Sequence, residues 1–262
     1  RRQRQMCIRD SYAPFGTQYN SQAEPQGSNC GLYPLGQKIV LPDGREYRYA
    51  LAGAAARVAG MLYQSVVPLS AAVHSETVVS TTPAVGDTTI SSTLGATLAA
   101  IDIYSEGFAH FNKVDGIGTG YRIRRAIEEG QAHAAVAASG VITVNLAPGE
   151  TIQVAGAGTS EVSYTRNRFH STIIHASAPT ATLSGVANWA ATASQYYYEQ
   201  VKGDCCCTAS GTLVIGDFCV PSASTDGTVM PSAAFETDGP YVGVVRELNV
   251  TAEGCCIDLK LD

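Results

Sequence analysis

No run of about 18 or more apolar residues occurs in the 262-residue chain, so no membrane-spanning helix is expected. The catalytic signatures that spacing reveals are missing as well: there is no His-Glu-x-x-His, no Gly-x-Ser-x-Gly and no phosphate-binding loop. Histidine is scarce, five in all, and poorly spaced for chemistry. His170 and His175 lie five apart, so on one strand they face opposite sides and share no metal through it. His74, His110 and His133 stand apart from any carboxylate at metal-ligand spacing. A constellation assembled from distant residues is not excluded by these absences, but they weigh against an enzyme. No catalytic, cofactor-binding or metal residue is therefore assigned, and a non-enzymatic protein without cofactors is expected.

Cysteine builds no framework. Outside the first ten residues stand an odd seven: Cys30, Cys205, Cys206, Cys207, Cys219, Cys255 and Cys256. Three adjacent thiols in an odd set do not make a secreted disulfide scaffold. Zinc sites use pairs about two to four residues apart, often with histidine. Contiguous cysteines on a strand point alternately to its two faces, which reads first as small apolar side chains in β-structure. A metal site and disulfide cross-linking are the alternatives.

Basic charge is concentrated at one end. Residues 1–10 read Arg-Arg-Gln-Arg-Gln-Met-Cys-Ile-Arg-Asp, followed by Ser11. As a protein segment this is a basic arm for nucleic acid or a membrane surface. The string also resembles one reading frame of a transposase-based sequencing adapter, which implies that residues 1–11 are foreign to the protein and that its true start is missing. The whole chain carries a formal charge of −6. Without residues 1–10, which hold four Arg and one Asp, 13 basic residues face 22 acidic ones and the charge is −9. An acidic protein with no other basic cluster is a poor nucleic-acid binder, because phosphate neutralisation dominates that affinity. Neither nucleic acid nor membrane is an expected partner.

What the chain does contain is turn chemistry between short runs of strand formers. Tyr12 to Gly36 is rich in Gly, Pro, Gln, Asn and Ser and has neither helical nor strand periodicity. Lys38 to Leu41, Pro42-Asp43-Gly44 and Arg45 to Tyr49 then read as a hairpin, with Pro fixing φ and Gly accepting the left-handed position. Residues 50–60 have helix propensity but carry Gly53 and Gly60, and a strand is expected over Met61 to Val67. Residues 76–94 have the Thr, Ser and Val content of exposed strands, and Asp102 to Gly107 suits one helical turn. A second hairpin is predicted from Val141–Leu146 through Pro148-Gly149-Glu150 to Thr151–Val154. Further strands are predicted at 162–166, 171–175, 196–201, 211–215, 218–220, 241–246 and 255–261, with turns at Thr225-Asp226-Gly227 and Thr237-Asp238-Gly239-Pro240. Short strands with regular turn signals predict an all-β sandwich or barrel.

Gly116, Gly118 and Gly120 lack the spacing of a dinucleotide fingerprint, and Tyr121 to Arg124 alternates like a strand, so a glycine-rich hairpin is expected. Arg122 with Arg124, and Arg166 with Arg168, are i, i+2 pairs suited to one sheet face. They read as a solvated face or as groups that meet acids on a neighbouring subunit. Trp189 and Tyr196 to Tyr198 are expected to pack core and strand edge, alternate tyrosines pointing out. Arg122, Arg124, Arg166, Arg168, Tyr196 and Tyr198 are thus the candidate interface residues.

Several segments together resemble virion proteins of tailed phages encoded beside capsid genes. They are Tyr33 to Gly36, Leu41 to Ala50, Ala59 to Ser65, Tyr104-Ser105-Glu106-Gly107, and the Asp115 to Arg124 turn and strand. Gln195 to Gly203, Gly211 to Asp217, Asp226 to Val229, Val242 to Val245 and the C-terminal strand are similar to the small β-barrel of head decoration proteins. The cysteine runs depart from that pattern. The resemblance implies a barrel on the capsid surface, often a trimer, that reinforces contacts between capsomers. Its partners would be the major capsid protein or other virion subunits, and its location the virion, assembled in the host cytoplasm. The expected organisation is an extended N-terminal arm over 12–45, a first β domain over 46–180 and a barrel-like domain over 181–262. A tail or fibre module that recognises a host glycan through exposed tyrosines is the second reading.

Overall fold

The computed structural model describes residues 33–69, 74–113, 115–126, 130–232, 240–249 and 253–262. Every regular element among them is a strand, as the short runs and turn signals predict. No helix among these residues is long and apolar enough to cross a membrane. Residues 1–32, with the adapter-like segment, most of the predicted arm and Cys30, lie outside the described residues, as do Thr237 to Gly239.

The main sheet is organised around one long strand. β12 (Tyr196–Thr208) pairs with β2 (Glu46–Leu51) and β11 (Leu183–Ala187) through its first half and with β16 (Gly254–Lys260) through its second. The register slips between Gln200 and Lys202, and Gly203 follows with φ +83°. A Cβ there would lie 3.2 Å from the Arg45 Cα, so the close approach as well as the φ selects glycine. A slip of this kind bends a strand and raises its twist, and the sheet is curled into a half-barrel. Beyond β11 it continues through β3 (Met61–Gln64) to β10 (Ile173–Ile174). Beyond β16 it runs through β15 (Gly243–Val245) and β13 (Phe218–Pro221) to β14 (Val229–Pro231). The Pro42-Asp43-Gly44 turn forms as predicted: β1 (Lys38–Val40) pairs with β2, and Gly44 has φ +86°. The predicted arm over 12–45 therefore does not extend to Arg45, because Lys38 to Val40 already belong to this sheet.

A second unit is inserted between β3 and β10. It contains β4 (Thr77–Val78), β5 (Thr89–Thr93), β6 (Phe108–Lys113), β7 (Gly120–Arg122), β8 (Val141–Asn145) and β9 (Glu161–Thr165). These form a β4-β9-β6-β7 sheet and a β5-β8 ribbon. Their buried side chains, from Val79 to Tyr164, make one core to which no residue of the main sheet contributes. The cores of the main sheet draw on residues 35–63 and 169–259. The division expected near residue 180 is thus corrected. Strands on both sides of it share one sheet, because β2 and β3 complete their hydrogen bonding only against β12 and β11.

Three local expectations also change. Thr151–Val154 does not return against β8; the Gly149 turn forms, but the chain crosses so that Ile152 bonds Asp87 and Gly86. β8 pairs with β5 instead, which buries Ile142 and Val144 against Ile90. Asp102 to Gly107 is a series of turns, with positive φ at Asp102 and Glu106 that no α-helix allows. Gly211 to Ile215 forms no strand, being held by a turn in which Asp217 N donates to Val214 and by a long-range bond from Leu213 N to the Asn249 side chain.

Two ionisable side chains, Glu199 and Arg57, are folded into the main core. Glu199 is fully buried beside Tyr197, whose hydroxyl donates to its Oε1. Arg57 is buried nearby, its guanidinium 4.8 Å from the Tyr63 ring centre. Loss of water outweighs the tyrosine hydrogen bond and the Arg57 charge, so the Glu199 carboxyl titrates above its ordinary range. Its stability contribution therefore worsens as pH rises from about 4.5 through the folded value and is worst above it. Glu199→Gln keeps the acceptor for Tyr197 and removes the charge. It is expected to raise Tm at pH 8 by about 2–4 °C, the shift of 1 kcal/mol in a chain of this size. The gain should close as pH falls to about 4.5, checked by thermal melts across pH 4.5–8.

Candidate functional site

The six candidate interface residues do not form one surface. Arg122, on β7, is exposed, and Arg124 next to it is half-buried. Arg166 and Arg168 follow the end of β9, so they share no sheet face. Arg166 turns inward to the Tyr104 hydroxyl. Arg168 reaches the main sheet, where Nε donates to the Leu183 carbonyl at 2.6 Å and Nη1 pairs with Asp262 at 3.4 Å. Arg48 takes the other Asp262 oxygen, so two arginines anchor the C-terminal residue. Tyr196 and Tyr198 lie on the same face of β12, but neither is turned out to solvent. Tyr49 stacks on Tyr196 at 5.3 Å and packs against Tyr198 at 5.1 Å, while Tyr33 meets Tyr49 edge-on. The expectation that alternate tyrosines point out is corrected, because β2 supplies aromatic partners on that face. Trp189, expected to pack the core, is 44% exposed.

Functional geometry gathers instead where the inserted unit meets the main sheet, at Tyr104-Ser105-Glu106-Gly107. Glu106 Oε2 accepts from the Leu35 amide at 2.7 Å, and Oε1 pairs with Arg125 at 3.2 Å. Asn167, in the return to the main sheet, donates to the Glu106 carbonyl. Gly107 is required by space, since a Cβ would lie 2.3 Å from the Thr165 carbonyl oxygen. Ser105 Oγ accepts from the Ala126 amide. Burial outweighs Leu35 and Arg125 and raises the Glu106 carboxyl above its ordinary range. Glu106 thus joins the strand entry and Arg125 through its carboxylate, and the chain leaving the inserted unit through its backbone carbonyl. Sequence reading missed this site. Its signal was a lone Glu-Gly inside a segment with helical composition, which nothing in the spacing distinguishes from a turn.

Three histidines stand around the same junction. His74 Nε2 faces the Thr97 carbonyl at 2.8 Å, so it carries the proton and Nδ1 accepts from the Tyr104 hydroxyl. His133 Nδ1 faces the Ala134 carbonyl at 2.8 Å, and Nε2 accepts from the Tyr104 amide at 3.2 Å. Burial lowers both imidazoles below their ordinary range, which keeps this neutral pattern. A hydroxyl chain from Thr77 through Ser92 to Tyr164 lies in the same core. His170 follows Arg168 and Phe169. Burial, then the charge of Arg166, pushes it down to about 4. Among the described residues no three metal-ligating side chains converge. What the arrangement does is brace the inserted unit from within, by polar bonds to Tyr104, Thr97 and Ala134 in which each of His74 and His133 serves as donor and acceptor at once.

The exposed surface offers a different feature. Loop 213–217 is bonded to the end of β15 and the segment after it, with Gly216 N donating to Val245 and Leu213 N to Asn249. These loops hold out Val214, Ile215 and Leu248, exposed by 52%, 58% and 61%. Phe218, at the start of β13, is 48% exposed and meets Tyr241 edge-on. This end of the main sheet is an apolar tip. No protein-family model, curated protein or solved structure matches the chain.

The junction makes an acid-sensitivity prediction. With its folded pKa depressed, His170 stabilises the fold above about 6.5, and that contribution is lost as pH falls toward about 4, because the unfolded chain takes the proton first. The loss is at most roughly 3 kcal/mol. Glu106 and Glu199 act in the opposite direction, so the His170 contribution is read by difference. His170→Gln should flatten the fall in denaturation midpoint between pH 6.5 and 4 relative to the parent. An unchanged slope would remove His170 from the account.

Proposed function

We propose that this chain is a non-enzymatic structural protein of a tailed-phage virion that decorates or stabilises the capsid through subunit contacts. The observation that carries the reading is the apolar tip of Val214, Ile215 and Leu248, held on loops that are themselves hydrogen-bonded. A rigid, polar-bonded body with a preformed apolar end suits a static contact with the major capsid protein or a further copy of the chain. The trimer is the arrangement that the resembled family implies. The stable interface such a role requires buries on the order of 1,200 Å² or more, to which the tip would contribute an apolar centre. Tyr196 and Tyr198, on which the glycan-binding reading rests, are engaged with Tyr49, and this favours the capsid reading over it.

Co-sedimentation with shells assembled from a tailed-phage major capsid protein, chosen by sequencing the genes beside this reading frame, tests the proposal. The chain should pellet with assembled shells and bind free capsid subunits weakly. The triple change Val214→Ser, Ile215→Ser, Leu248→Ser should weaken shell binding by about tenfold or more, as loss of roughly 1.4 kcal/mol of buried apolar area would require. Its Tm should stay near that of the parent, since all three side chains are already exposed. Equal binding to shells and free subunits would sink the proposal.

A further inference from the structure

Six cysteines among the described residues are free thiols. Cys205, Cys207, Cys219 and Cys255 are buried and help fill one core of the main sheet. Cys206 and Cys256 differ, one exposed and the other half-buried, on the opposite face of the β12–β16 ladder. They are direct cross-strand partners.

The hydrogen bonding around them fixes what kind of pair they make. Ala209 N donates to the Glu253 carbonyl, and these two continue the register in which 206 faces 256. Bonded and non-bonded pairs alternate along an antiparallel ladder, so Cys207 with Cys255 is a bonded pair and Cys206 with Cys256 is not. Two further bonds agree. The Cys256 carbonyl is turned away from β12 to accept from Arg246, and the neighbouring Thr208 amide is turned away from β16 to donate to Gly60. Non-hydrogen-bonded partners have Cα atoms about 4.5 Å apart and the closer side chains. That separation falls within the span of about 4.4–6.8 Å that a disulfide bridges.

The local packing leaves room for the bond. The Cys206 Sγ leans across the ladder over Gly254, 2.8 Å from where a Cβ would stand. A side chain at 254 would occupy that space, so the glycine leaves the thiol free to turn about χ1 toward Cys256. We propose that Cys206 and Cys256 are a reversible cross-strand disulfide site, closed by exchange with a small-molecule disulfide of the glutathione class. The Cys206 thiolate attacks one sulfur of oxidised glutathione and releases one glutathione thiolate, which takes up a proton. The Cys256 thiolate then attacks the Cys206 sulfur of the mixed disulfide and releases the second glutathione. Two protein thiols are oxidised to one disulfide, and one glutathione disulfide is reduced to two thiols. Burial, with nearby sulfur and carboxylate groups, holds both thiols above their ordinary range, so closure is faster above neutral pH. The bond would tie β12 to β16 and close the chain segment that carries β13, β14 and β15.

The test uses the full chain with Cys7→Ser and Cys30→Ser, incubated with oxidised glutathione at pH 8 and analysed by intact mass and non-reduced peptide mapping. The expected product is about 2 Da lighter with no glutathione adduct, links Cys206 to Cys256, and melts about 5 °C or more higher until dithiothreitol reverses it. Cys206→Ser and Cys256→Ser, both on the outer face, should each hold one glutathione on the surviving thiol and show no rise in Tm. Stable glutathione adducts on both thiols of the parent, a bond between two chains, or a link through another cysteine would overturn the proposal.

Discussion

The pairing of β12 is the constraint on which the main sheet depends. Thirteen residues, Tyr196 to Thr208, hydrogen-bond in turn with β2, β11 and β16. A straight strand of that length would carry a flat sheet, and a flat sheet encloses little. The slip at Gln200 to Lys202 and the left-handed Gly203 turn the strand in its middle. Its two halves then face separate cores, aromatic around Tyr49 and Tyr198 and small-residue around Cys205, Cys207 and Cys255. The cysteines fit this second core because the ladder alternates. One thiol in two points inward, and the inward ones serve as small apolar groups whose ionisation burial opposes.

Buried polarity in this protein is used for attachment. Glu106 and Asn167 lie where the inserted unit meets the main sheet and bond backbone groups across that junction, while His74 and His133 brace the Tyr104 turn from inside the unit. A hydrophobic seam would hold the two units together but would tolerate sliding. Directional bonds from a buried carboxylate to the Leu35 amide and to Arg125 fix one orientation, and leaving either unpaired is expensive.

The sequence was most legible where chemistry is local. Pro42-Asp43-Gly44 and the Gly116 to Gly120 turn formed because proline fixes its own φ and glycine accepts the left-handed region wherever they stand. The alternation expected of Cys205 to Cys207 also holds, although the strand that carries it runs on to Thr208 and only the structure shows that Cys205 and Cys207 are the inward pair. Partner choice was illegible. Val141 to Asn145 looked bound to Thr151 to Val154 by the turn between them, yet it pairs with Thr89 to Thr93. Burial of Ile142 and Val144 against Ile90 decided this, and no turn residue reports it. Arg166 and Arg168 looked like a sheet-face pair because a strand was read too far. Once β9 ends at Thr165, two residues of separation no longer imply one face. Glu106 was invisible because its partner Leu35 lies 71 positions away.

The inserted unit begins and ends on strands that pair with each other, Thr77 with Val162, and the strands that flank it, β3 and β10, pair as well. This nesting bears on the order of folding. Joining Gln64 to Ile173 in an unfolded chain closes a loop of about 110 residues. If the inserted unit has already collapsed and brought its own ends together, the chain still to be ordered is only the two linkers, about 20 residues. Loop-closure entropy then falls by roughly 1.5 kcal/mol. The inserted unit is therefore placed to act as an internal splint: folding early, it delivers the two distant halves of the main sheet to each other, and slowing its collapse would slow the whole chain.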